Sequence, residues 1–374
     1  MPCAQFTLLI YLETEHLRPG TWVDISEFVI YFISVICELK PKGKSMDICT
    51  SNFGISDLGL SKEIIDVVKY SPEYKTQWDN FVSNSKNGVF LLYRDYMEYH
   101  SERFHDHSLL FFKKGKLIGL MPANMNKDIL NSHEGLTFGG IISDKEMKTS
   151  IMIGIFEKII SHCKEEGFTE LLYKPIPYIY HQIPAEEDLY ALFRHNARII
   201  GRNIISSIQM PLNVNYSKER KRTIKKSKSH NIVVKQSFDF KTFMKIEEEV
   251  LFERHGVSPV HKVDEIINLA ERFPNNIKLF GSFKEDSMLA GSIIFESNNV
   301  AHAQYAADSN EGWDIGALDL VFDYLITEYY KNKKFFDFGC STENLGQVLN
   351  GGLLRHKEGF GARAVMQDFY QLSF

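Results

Sequence analysis

Residues 277–306 read IKLFGSFKEDSMLAGSIIFESNNVAHAQYA. Two β-rich runs, Ile277 to Phe283 and Leu289 to Phe295, flank the polar tetrad Lys284 to Ser287, and the Asn298-Asn299 turn leads into Val300 to Ala306. Short apolar runs separated by turn residues predict a hairpin followed by a third strand. Downstream, Leu318 to Tyr330 sets Leu318, Val321, Phe322, Leu325 and Tyr329 on one helical face, because side chains three and four apart line up on a helix. Phe335 to Phe338 then reads as a strand and Ala364 to Leu372 as the closing one. Charged, helical sequence precedes the hairpin at Glu219 to Lys228 and Phe240 to Phe252.

The same order occurs once before. Glu73 to Ser83 is helical, and Leu109 to Phe112 and Leu117 to Met121 flank the turn Lys113 to Lys116. Leu136 to Ile142 is expected as the third strand. Glu146 to Cys163 is expected as a helix with Ile151, Ile155, Phe156, Ile159 and Ile160 on one face, stopped by Gly167. Leu171 to Tyr173 is a short strand, Asp188 to Asn196 a helix and Ile199 to Met210 a closing strand. The pattern predicts an α/β protein with mixed sheets of α+β type, made of two tandem copies of a unit of roughly 150 residues. The copies are assigned to residues 46–212 and 213–374.

The composition agrees with a packed protein: of 374 residues 44% are hydrophobic and 24% charged. The formal charge of −5 excludes a chain whose whole surface tracks nucleic acid. Five widely spaced cysteines without a CxxC pair suggest neither a disulfide framework nor a metal site, which fits a reducing cytoplasm. The apolar stretch Phe28 to Leu39 is short and contains Glu38, whereas a membrane span needs about 20 residues. Acidic residues before it argue against an export signal. Residues 1–45 are expected to be an upstream extension that is not native, with Met46 as the natural start.

Polar groups that carry chemistry gather in the second copy. His255 and His261 lie on one loop, and His302 and Gln304 are expected on one face of a central strand with Tyr305 on the other. Asp337 lies inside the run Phe335 to Phe338, where a carboxylate needs partners or a function. Its Asp-Phe-Gly triplet is shared with protein kinases, but no strand lysine or His-Arg-Asp element accompanies it. Cys340 follows that strand and reads as a small packing residue. Asn350 to Arg363 supplies glycines for a close backbone approach and, in Lys357 and Arg363, partners for anions. Lys218 to Lys228 has seven basic residues in eleven, which is either a phosphate-binding helix or a solvated one.

Taken in order, Tyr70 to Trp78, Arg222-Thr-Ile-Lys-Lys, Gly316-Ala317-Leu318, Phe336-Asp337-Phe338-Gly339 and His356-Lys357-Glu-Gly-Phe-Gly361 resemble the GNAT acyltransferase superfamily. The resemblance is to its two-domain branch, related to the Fem-type (FemABX) peptidoglycan aminoacyltransferases and to bacterial GNAT proteins of unassigned substrate, and it covers residues 70–374. It implies two GNAT-like domains and an N-acyltransferase that moves an acyl group from acyl-CoA to an amine on a small molecule, an amino sugar or a cell-envelope precursor. The alternatives are aminoacyl-tRNA-dependent transfer, with Lys218 to Lys228 on the RNA, and a non-catalytic binding module. The donor and acceptor would meet where Val300 to Ala306 and Phe335 to Phe338 splay apart. His302 or Glu343 would be the general base and Asp337 its orienter; Gly316, Ala317 and Lys357 would bind the donor; His255, Tyr305 and Arg363 would line the acceptor site. Glu311 and Asp314 depart from the usual coenzyme A turn, because they would repel a pyrophosphate. The first copy lacks a glycine at the matching helix start and is expected to serve structure or acceptor binding.

Overall fold

The computed structural model describes residues 64–210 and 215–374, so the expectation for residues 1–45 lies outside the described residues. The first half runs β1 (Asp66–Lys69), α1 (Lys75–Asn84), α2 (Arg94–Met97), β2 (His105–Asp106), β3 (Leu109–Lys113), β4 (Lys116–Met121), β5 (Asn124–Asn126), β6 (Ile129–Asn131), β7 (Ile142–Ser143), α3 (Thr149–Glu166), β8 (Glu170–Tyr173), α4 (Glu187–Arg194) and β9 (Arg198–Gln209). The second runs α5 (Lys218–Lys228), β10 (Val233–Ser237), α6 (Phe240–His255), α7 (Val263–Arg272), β11 (Ile277–Lys284), β12 (Ser287–Glu296), β13 (Val300–Asp308), α8 (Asn310–Ile315), α9 (Ala317–Tyr324), β14 (Phe335–Cys340), β15 (Thr342–Glu343), β16 (Val348–Leu349), α10 (Gly351–Gly359) and β17 (Arg363–Ser373).

Local chemistry sets most of these limits. The β3–β4 turn places Lys114 at φ 50° and Gly115 at φ 76°, the left-handed pair that matches the twist of a tight hairpin. Helix α3 buries Met152, Ile155, Phe156, Ile159 and Cys163 and ends on Gly167 at φ 81°. The long helix expected through Tyr330 is α9 followed by one π turn over Leu325–Tyr329. Two other expectations are corrected. Residues 136–141 form no strand: Gly140 sits at φ 78°, and a Cβ on Gly139 would lie 1.9 Å from the Ser132 carbonyl oxygen, so the chain folds back tightly and β5 and β6 supply the strands. The glycines of 351–359 form helix α10, capped by the Asn350 side chain on the Leu353 amide, instead of an open loop.

Two sheets result. One is β1-β3-β4-β7; the other has eleven strands in the order β10-β11-β12-β13-β14-β9-β17-β8-β6-β5-β2. Its centre is an exchange: β9, which closes the first half, lies against β14 of the second, and β17, which closes the second, lies against β8 of the first. β9 and β17 pair antiparallel with each other along their length. Each half keeps one parallel pair, β6 with β8 and β13 with β14.

Apolar packing follows the sheet faces. Ile294, Ala301, Phe336 and Phe338 pack with Leu320, Val321 and Phe322 of α9. Ile293, Phe295 and Tyr305 pack on the other face with Phe243 and Met244 of α6, Leu269 of α7, and Phe90 and Phe138 of the first half. Each buried Ile, Leu, Val, Met or Phe among them contributes about 1.5–3 kcal/mol. Within this second layer Glu247 of α6 is buried and its Oε2 has no hydrogen-bond partner. Burial pushes its carboxyl up to about 7. The stability it contributes is fully present below its unfolded pKa, ordinarily about 4.3, and is lost as pH rises through about 7. Glu247→Gln is therefore expected to be more stable than the parent at pH 8 by roughly 1–3 kcal/mol and close to it at pH 4.5; an equal difference at both pH values in urea titrations would refute this.

Candidate active site at the strand fork

β13 and β14 pair only over Val300–Phe335, Ala301–Phe336 and His302–Asp337, then part. Two irregularities open the fork. On β13 the register steps from Ile294–Ala303 to Ile293–Tyr305, which leaves Gln304 as an extra residue. On β14 it steps from Asp337–Ser207 to Cys340–Ile205, with Gly339 at φ 72°. Such bulges bend strands apart and re-aim side chains. The first reverses one expectation: Tyr305 shares its face with His302, because the extra residue flips the alternation.

Between the parted strands lies a cavity of about 260 Å³. His302, Ala303 and Gln304 line it from β13, Asp337 to Cys340 from β14, Ile205 from β9 and Gln367 from β17; Thr137, Phe138 and Tyr180 come from the first half. Asp337 is 1% exposed and fully partnered. Its Oδ2 accepts from His302 Nδ1 at 2.8 Å and from the Tyr180 hydroxyl at 2.9 Å, and its Oδ1 accepts from the Gly339 amide at 2.7 Å. Burial alone would raise the carboxyl; the facing His302 and the three donors outweigh it and hold Asp337 below the usual carboxylate range. An ionised carboxylate only accepts, so Nδ1 of His302 carries the proton of that bond. Nε2 is then the basic nitrogen of the neutral ring. This arrangement can take a proton from a nucleophile bound in the cavity.

The other expected site residues are placed differently. Glu343 is exposed on β15, paired with Val348, and does not line the cavity. Lys357 is buried in α10, its ammonium donating to the Gly339 carbonyl at 3.1 Å and the Cys340 carbonyl at 2.6 Å. It braces the turn that ends β14. Burial lowers it to about 8 against the pull of Cys340 and Asp337. Tyr305 is buried away from the cavity, its hydroxyl 2.5 Å from His261 Nδ1. Arg363 opens β17 and donates to the Ala362 carbonyl at 2.7 Å. The His255 side chain lies outside the described residues. Cys340 is exposed at the cavity rim instead of packed.

Gly316 and Ala317 belong to a second, polar cleft of about 640 Å³. Gly316 stands at φ 74°, and a Cβ there would meet Thr223 Cγ2 at 2.2 Å, so only glycine lets α5 approach α9 this closely. Ala317 is fully buried. The cleft is lined from α5 by Arg220, Arg222 and Lys226, from α10 by Arg355 and His356, and by Trp313 and Asp319. Asp319 holds Arg220 Nη1 at 2.6 Å and His356 Nε2 at 2.9 Å. The first turn of α9 already has an anion: the Leu318 amide donates to Asp308 Oδ1 at 2.9 Å.

Thr137, Phe138, Tyr180 and Gln367 were not legible as site residues. They reach the cavity through long-range topology, and no local spacing marks them.

No protein-family model and no curated protein matches the chain. Solved structures do. FemX matches at TM-score 0.57 and 12% identity, over 83% of this chain and 97% of FemX. The C-terminal DUF2156 domain of a putative lysylphosphatidylglycerol synthetase from Agrobacterium fabrum matches at 0.53 and 9%, over 80% and 92%. L-PGS from Bacillus licheniformis matches at 0.52 and 12%, over 80% and 91%. The chain thus has a GNAT-like α/β fold of two units, related to that of Fem-type proteins.

Proposed function

We propose that this chain is an acyltransferase that moves an acyl or aminoacyl group from an activated ester or thioester to an amine held in the fork cavity. The observation that carries the reading is the pair formed by part-buried His302 and fully buried Asp337 where two parallel strands part. In the reaction Nε2 of His302 accepts the amine's proton as nitrogen attacks the donor carbonyl. The carbon–oxygen or carbon–sulfur bond then breaks, and the proton passes to the leaving alcohol or thiol. Positioning supplies the larger share of the acceleration, because the narrow fork cavity brings the amine and the donor carbonyl together beside Nε2 of His302.

Acyl-CoA and charged transfer RNA are the two donors to weigh, and Asp308 favours the second. Coenzyme A phosphates at the start of α9 would have to displace a carboxylate that already bonds the Leu318 amide, beside Asp314. The Fem-type resemblance implies charged transfer RNA, and helix α5 presents exposed Arg222 and Lys225 that can follow a phosphate backbone. Calorimetric titration with acetyl-coenzyme A and with charged transfer RNA, each at two salt concentrations, tests the choice. Binding of RNA that weakens steeply with salt is expected, with a slope reduced by about 1–2 in the Arg222→Glu, Lys225→Glu variant, roughly 0.7–0.9 for each phosphate that is no longer neutralised. Binding of acetyl-coenzyme A alone would overturn the donor assignment. Binding of neither, with no transfer, would favour the binding-module reading. The same proposal places the acceptor amine in the cavity, with the first half serving to shape it.

A further inference from the structure

We propose that Tyr180, delivered by the first half of the chain, is the positioning residue that sets the orientation and basicity of the His302–Asp337 pair. The inference rests on the transferase reading above and deepens it.

The two halves keep their forks in matching register. Val300–Phe335, Ala301–Phe336 and His302–Asp337 in the second half correspond to Ile129–Glu170, Leu130–Leu171 and Asn131–Leu172 in the first. Asn131 and Leu172 therefore stand where the second fork has His302 and Asp337, and neither can relay a proton. The first fork is also closed. The Ser132 amide donates to the Leu172 carbonyl at 2.8 Å, the Gly139 amide to the Lys174 carbonyl at 2.9 Å and the Lys174 amide to Ser132 Oγ at 2.7 Å. The chain leaving β6 carries Thr137 and Phe138, and the chain leaving β8 carries Tyr180; both run into the cavity of the second half. Phe138 and Tyr180 pack ring to ring at 4.7 Å.

These loops are anchored to the second half. Asn299, in the turn before β13, donates to the His181 carbonyl at 2.6 Å, and Gln367 of β17 donates to the Thr137 carbonyl at 2.9 Å. The Tyr180 hydroxyl is thus held to the same Asp337 oxygen that accepts from His302. A second donor on that oxygen fixes the plane of the carboxylate and withdraws part of the charge that faces the imidazole. Without it Asp337 acts more strongly on His302 alone. Tyr180, Asp337 and Cys340 are the titratable groups that line the cavity with His302, and Lys357 holds the far side of the Gly339–Cys340 turn.

The test is a pH titration of ¹⁵N-histidine resonances in the full chain, for the parent, Tyr180→Phe and Asp337→Asn. Phenylalanine keeps the ring and the wall, so the variant is expected to melt within a few degrees of the parent. The His302 midpoint is expected to rise by roughly 0.5–1 pH unit in Tyr180→Phe and to fall in Asp337→Asn. In a transfer assay Tyr180→Phe is expected to lower kcat roughly tenfold with KM for the donor within about twofold. An unchanged His302 midpoint in Tyr180→Phe overturns the inference. Transfer that survives His302→Ala would instead remove His302 as the base, and absence of transfer by the parent with either donor would overturn the transferase reading, so the failures are separable.

Discussion

His302→Ala is expected to lower transfer about a hundredfold or more, while donor affinity and melting temperature change little. The imidazole is one wall of an existing cavity, so its loss leaves no large void in an apolar layer. What disappears is the nitrogen that accepts the amine's proton. Asp337→Asn is expected to be as damaging for a different reason. An asparagine can offer its amide hydrogens to Nδ1, which moves the ring proton to Nε2 and removes the base without moving a heavy atom. Asp337 also accepts from Gly339 and Tyr180, so its replacement disturbs three bonds at once. Single-turnover transfer with the donor that binds in the titrations separates these effects from binding. Rates within twofold of the parent for both variants would remove the pair from the mechanism. Glu343→Ala is the matched control: the exposed carboxylate on β15 lies off the cavity and its loss should leave turnover unchanged.

The resemblance named His302 or Glu343 as the base with Asp337 as its orienter; the parallel pairing of β13 and β14, seen only in the structure, sets His302 opposite Asp337 and leaves Glu343 off the cavity. The face taken by Tyr305 was not legible. One bulge residue, Gln304, reverses every side chain after it, and bulges leave no apolar signature. Gly316 was expected to bind the donor, yet it stands at φ 74° and admits Thr223 of α5, a close approach of two helices far apart in the chain. A phosphate at that helix start would also meet Asp308, which fills it from the end of β13. Lys357 was singled out as a cation near a ligand; burial has spent it on two carbonyls. Tyr180 was invisible for the same reason that makes it informative, since only the exchange of closing strands brings a loop of the first half onto a carboxylate of the second.

That exchange makes a stronger demand on folding than on catalysis. A fragment ending at residue 210 is expected to show no cooperative unfolding transition, and so is a fragment beginning at 211. β9 has two neighbours, β14 and β17, and both belong to the second half. In the first fragment it would be a strand with no sheet to join, and Ile205 and Ile208, both buried, would face water. In the second fragment β14 and β17 would lack the strand that joins them, and Val365 and Leu372 of β17 would be uncovered with it. Each of these side chains is worth about 1.5–3 kcal/mol. The ladder bonds add roughly 1 kcal/mol each, against a total stability of about 5–15 kcal/mol. The layer joining Phe90 and Phe138 to Phe295 and Phe243 would also be cut. Mixing the two fragments should restore a single transition and the His302 titration, because every missing partner is then present. A fragment that melts cooperatively on its own, near the parent's temperature, would mean that the halves are stable units that merely touch. Tyr180 would then be an accident of docking instead of a built part of the site.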